Sequence, residues 1–323
     1  MKNGKKISVL MLFLAVMLLC TAFGASAAER GTEGYYTYSV ENGKATIESC
    51  DKSIGGNVVI PDTLCGYPVT SIMHQAFYGC NELTGITMGK NVTYLGERAF
   101  WRCKSLKYIN FGDSVTFIGS GAFMDCESLE SIVLPKGVTY IGTSAFACCT
   151  SLTSATLPES MTRIPSAMFN ECTKLKKVVI PEGITDIASG AFASCIELTE
   201  VIIPNSVTEI MDFAFLECNI TQITIPKGVK KIGDGALGYV FTGEDKKEIV
   251  KLDDFTICGY TGSSAEFYAK NNGFTFIVLD DTSSNCSHIC HKGGISKFFY
   301  KIALFFWKIF KTNQYCSCGA KHY

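Results

Sequence analysis

The chain has 323 residues and a formal net charge of −1, so it lacks the charge excess that a nucleic-acid or acidic partner would require. Its 47% hydrophobic content excludes intrinsic disorder over most of its length. Sixteen cysteines in an exported chain would ordinarily suggest a disulfide framework, which makes their spacing the first question.

Residues 1–6 are basic, residues 7–23 are apolar, and Ala25-Ser26-Ala27 follows. The order predicts a secretory signal peptide over residues 1–27. A retained membrane anchor is the rival, and the small-residue exit favours cleavage. Residues 28–54 then form an N-terminal cap. Apolar and polar residues alternate over 36–47 around Asn42-Gly43, the signature of a type I′ hairpin.

Residues 55–240 repeat. Cys80, Cys103, Cys126, Cys149, Cys172, Cys195 and Cys218 stand 23 residues apart, each just after an Ala-Phe pair, or Met168-Phe169 in one case. A fixed period of this length marks a solenoid, in which each unit buries its apolar face only against its neighbours. In the unit that starts at Leu129, the residues Leu129, Ile132 and Leu134 give a Leu-x-x-Leu-x-Leu-type strand. Pro135-Lys136-Gly137 turns the chain, and Val138 and Ile141 point inward from a second extended segment. The Ser-Ala-Phe-x-x-Cys stretch is expected to close the coil as a helical turn. One residue is missing between Cys218 and Ile220, so the register shifts there. The shared position of the seven cysteines predicts a structural ladder of buried, reduced thiols, because free Cys behaves as a small hydrophobe.

Residues 241–279 read as a strand–helix–strand cap, with a capping box at Ser263 and Glu266 and a stop at Asn271-Asn272-Gly273. Residues 280–294 are a linker to a Cys/His-flanked tail, 295–323. The lysines of the tail helix fall within an arc of roughly 80° at 100° per residue. Lys297, Lys301, Phe305, Phe306, Trp307 and Lys308 are its candidate membrane contacts, as on an interfacial amphipathic helix. Packing against the solenoid end or a partner helix is the alternative. Cys286, Cys290, Cys316 and Cys318 form either two disulfides that clasp this helix or, with His322, a tetrahedral zinc site. Zinc there is the one cofactor the sequence admits. With no sortase-type motif or lipidated cysteine present, the tail is expected to hold the protein at the envelope.

The strand pattern, the Pro-x-Gly that stands where an Asn is common, and the Ile-x-x-x-Ala-Phe-x-x-Cys continuation together resemble the BspA-type leucine-rich repeats of bacterial surface proteins. The resemblance covers roughly residues 55–280. It implies a leucine-rich-repeat solenoid of short parallel strands and turns, secreted or at the cell surface. It also implies adhesion to host or neighbouring-cell molecules and an absence of catalytic residues.

The sequence agrees in lacking G-x-S-x-G, H-E-x-x-H and a phosphate-binding glycine loop. It offers no constellation for a carbohydrate- or peptide-processing enzyme. Outward strand positions are small and mostly uncharged. The second segment carries a column of threonines, and beside it Tyr94, Phe117 and Tyr140 stand one repeat apart. That aromatic row either binds a protein or glycan ligand or stacks on itself and stiffens the coil. The corresponding whole-protein alternatives are an interaction module and a spacer held at the envelope by its tail. Neither involves nucleic acid.

Overall fold

The computed structural model describes residues 29–242 and 248–279. Within each coil, the alternation that turns every second side chain inward produces two short strands on two sides of the solenoid. On the first side, Gly56–Val59, Leu83–Thr87 and Tyr108–Asn110 pair in parallel, followed by Ser131–Val133, Ser154–Thr156 and Lys177–Val179. Ile132, Ala155 and Val178 lie in register and point into the core. On the second side, Tyr67–Ile72, Tyr94–Leu95, Phe117–Ile118 and Tyr140–Ile141 form one parallel run. Arg163–Ile164, Asp186–Ile187, Glu209–Ile210 and Lys231–Ile232 form the next.

A single residue type explains where these two runs separate. The residue after each inward Leu or Ile donates its N–H to the preceding coil, as Gly142 does to Ile118 at 2.8 Å and Ala188 to Ile164 at 3.0 Å. Between them the position is held by Pro165, which has no N–H to donate.

The closing turn is tighter than a helical turn. Ala99, Trp101 and Cys103 donate to the carbonyls three residues back, at 3.2, 3.0 and 3.2 Å. The intervening amides of Arg98, Phe100 and Arg102 donate to Ser120, Ala122 and Met124 of the next coil, at 2.9, 2.7 and 2.9 Å. Arg98 and Arg102 adopt left-handed φ values of 53° and 60°, which aim alternate amides along the solenoid axis. A continuous helix would use every amide within its own coil and leave the neighbouring carbonyls unpaired.

The centre of the solenoid is a column of phenylalanines. Phe77, Phe100, Phe123, Phe146, Phe169, Phe192 and Phe215 are buried and stacked, with ring centroids 4.7, 5.1, 5.4, 6.1, 5.6 and 5.2 Å apart in order. At the N-terminal end, Tyr36–Glu41 and Lys44–Cys50 form the hairpin expected from Asn42-Gly43, whose φ values are 51° and 71°. Lys44–Cys50 continues in parallel onto Tyr67–Ile72, and Tyr36 packs 6.2 Å from Phe77. A further strand, Glu29–Glu33, pairs with the outer edge of the hairpin. At the other end, Thr256–Gly259 pairs with both Gln222–Thr224 and Thr275–Val278. The helix Ser264–Asn272 covers this end. Its N-cap Ser263 accepts from the Glu266 amide, and Gly273 ends it at a φ of 68°. The hairpin Tyr239–Thr242 with Glu248–Lys251 is inserted ahead of that final strand.

Candidate interaction surfaces

The cysteine ladder belongs to the interior. Cys103, Cys126, Cys149, Cys172, Cys195 and Cys218 are buried, and each Sγ donates to a Phe carbonyl of the preceding coil. The six distances run from 3.1 to 3.3 Å. A small apolar residue with one weak donor suits this position, since a larger side chain would not fit and Ser would cost more to desolvate. Burial pushes the Cys103 thiol up to about 12 and raises the other five as well, which disfavours the nucleophilic thiolate. Cys80 is also buried, but its sulfur meets a different neighbour, the sulfur of Cys50.

The threonine column is likewise occupied with coil-to-coil bonding. The hydroxyls of Thr93, Thr116 and Thr139 each donate at 3.3 Å to the carbonyl of the threonine one coil earlier. Thr185 and Thr208 do the same at 3.0 and 3.1 Å. Beside them, Tyr94 and Phe117 stack at 4.6 Å and Phe117 and Tyr140 at 4.5 Å, with ring planes within 15° and 10°. The row remains accessible: Tyr94 is 38% and Tyr140 48% exposed, and Phe117 between them is half-buried. In the following coils the same position changes to charge, with Arg163 and Asp186 paired at 3.1 Å and Glu209 in register with Lys231.

The strand face carries a second apolar feature. Val133, Val179 and Ile202 occupy one repeat position and are 66, 60 and 69% exposed, with exposed Tyr108 two repeat positions away on the same face. The alternation turns these side chains outward, and Thr156 stands between Val133 and Val179 in the same column.

Two depressions among the described residues, about 380 and 480 Å³, are open grooves. The first is lined by Lys52, Tyr78, Arg102 and Lys104. Two of these cations already face carboxylates: Arg102 at 3.3 Å from Asp125, and Lys104 at 2.7 Å from Glu127. Trp101 donates to the same Asp125 at 2.9 Å and lies under both Arg98 and Arg102. No group of three or more His, Cys, Asp or Glu able to hold a metal occurs among the described residues. His74 is exposed in its turn. Cys286, Cys290, Cys316 and Cys318 lie outside the described residues, as do the tail contacts Lys297, Lys301, Phe305, Phe306, Trp307 and Lys308 and the signal segment.

A stack of in-register parallel coils, bonded amide to carbonyl and closed by turns on a Phe column, defines a leucine-rich-repeat solenoid. The chain belongs to the BspA-type leucine-rich repeat family, whose model matches in six copies over residues 56–176 and 162–242. Among solved structures it is similar to a leucine-rich repeat protein of T. pallidum. The two are 25% identical with a TM-score of 0.53, over 77% of this chain and 98% of that one. It is also similar to a leucine-rich repeat protein of Bacteroides ovatus, at 26% identity and a TM-score of 0.51, over 80% of this chain and 76% of that one. A comparison with curated proteins finds no match.

Proposed function

We propose that this chain is a non-enzymatic interaction protein, secreted or held at the cell surface, that presents its repeat surface to a protein or glycan on a host or neighbouring cell. The observation that carries this reading is the exposed aromatic row Tyr94–Phe117–Tyr140. Its neighbours in the same segment are committed to coil-to-coil bonds, whereas Tyr94 and Tyr140 remain exposed beside them. Aromatic side chains present much apolar area with few torsions to freeze, and Tyr adds a polar tip, so such a row suits either ligand class. Exposed Val179 and Ile202, one repeat apart on the strand face, offer a second contact area suited to protein. Membership of a repeat family and grooves without a convergent acid–base pair support the non-enzymatic part.

The test is the full chain with Tyr94→Ser, Phe117→Ser and Tyr140→Ser combined, compared with the parent for capture by immobilised matrix proteins and polysaccharides. Capture is expected to weaken at least about tenfold, or about 1.4 kcal/mol, while circular dichroism stays that of a folded solenoid. Undiminished capture with a lowered melting midpoint would assign the row to stiffening alone.

A further inference from the structure

Cys80 departs from the other ladder cysteines because no Phe carbonyl lies beneath it. The preceding layer is the hairpin cap, and Cys50, the last residue of the strand Lys44–Cys50, takes that place. The two sulfurs are 3.2 Å apart. Both are held by backbone: the Cys50 amide donates to the Ala76 carbonyl at 2.9 Å, and the Cys80 amide to that of Phe77 at 3.2 Å. A disulfide sulfur–sulfur bond is about 2.05 Å, so closure needs an approach of only about 1.2 Å. Lys52 stands beside the pair, its Nζ 3.9 Å from the Cys80 sulfur and bonded to the Tyr78 carbonyl.

We infer that Cys50 and Cys80 form a disulfide that fastens the N-terminal cap to the first coil, and that they are the one pair within the solenoid to do so. The reaction is exchange with a soluble dialkyl disulfide. Cys80 attacks it as the thiolate, forms a mixed disulfide and expels one small thiolate. Cys50 then loses its proton and attacks the Cys80 sulfur, and the second small thiolate leaves. The two protein thiols are oxidised, the reagent is reduced to two thiols, and the two thiol protons end on them. Cys80 is suited to the first step: the hydrogen bond from Cys50 and the charge of Lys52 hold its thiol below the usual range. The remaining ladder thiols face carbonyls rather than one another and stay reduced.

The experiment exposes the full-length protein to oxidised glutathione, alkylates the remaining thiols in denaturant and maps the unreduced peptides. Cleavage after Phe77 and Tyr78 separates Cys65 from Cys80. The expected product joins Cys50 to Cys80, with Cys103, Cys126, Cys149, Cys172, Cys195 and Cys218 alkylated. Oxidation is expected to raise the melting midpoint by roughly 5–10 °C, and Cys50→Ser is expected to abolish both the link and that gain. Full alkylation of Cys50 and Cys80 would overturn the inference, as would a link from either one to Cys65 or Cys103.

Discussion

Phe146→Ala is expected to lower the free energy of unfolding by about 3–5 kcal/mol, one of the two largest effects foreseen in this chain. Phe146 is fully buried between Phe123 and Phe169, at 5.4 and 6.1 Å with ring planes within 4° and 17°. The site cannot collapse around the missing ring, because its own coil is fixed to the next by hydrogen bonds. The Phe146 amide donates to Met168 at 3.1 Å, and the Phe146 carbonyl accepts the Cys172 thiol at 3.2 Å. A cavity therefore persists and both flanking interfaces weaken, which in a nearest-neighbour structure also costs cooperativity. Urea unfolding followed by circular dichroism reads the effect. A loss below about 1 kcal/mol would mean that the column repacks freely.

Deleting residues 29–54 is expected to cause aggregation. Tyr36, Tyr38, Val40, Ala45 and Ile47 of the cap are buried, and Tyr36 lies against Phe77. Without them the first core layer meets water, and Tyr67–Ile72 loses the strand that pairs along its edge. An open apolar end beside an unpaired edge recruits another chain by strand addition or hydrophobic contact. Size exclusion with light scattering distinguishes the outcomes: high-order species are expected, and a monomer of unchanged melting midpoint would show that the hairpin is dispensable.

Much of this architecture was legible because identical coils force identical residues into identical environments. The spacing of Cys80 to Cys218 and the Ala-Phe pairs marked the coil length, and Asn42-Gly43 marked the hairpin turn. What stayed hidden lacks a periodic signal. The strand Glu29–Glu33 contains no apolar alternation; it is held by backbone pairing, an Arg30–Glu48 ion pair and the Glu33 carboxylate, which accepts from the Cys65 amide. The hairpin of Tyr239–Thr242 with Glu248–Lys251 interrupts the repeat rather than following it. The left-handed residues of the closing turn include Arg98, Arg102, Glu171 and Glu217, types that do not advertise positive φ. Of the surfaces, the aromatic row could be read from its column. The contact of Cys50 with Cys80 could not, because a spacing of 30 lies outside the 23-residue register.

Whether recognition belongs to the solenoid or to the tail is settled most directly by comparing residues 29–279 with the full chain from residue 29 onward. The measurement is capture by one immobilised panel of matrix proteins and polysaccharides. If the repeat surface is the binding element, the fragment retains the specificity of the longer chain, with affinity within about threefold, or about 0.7 kcal/mol. A fragment that captures nothing, while the longer chain still binds, would place recognition in the tail and make the solenoid a spacer.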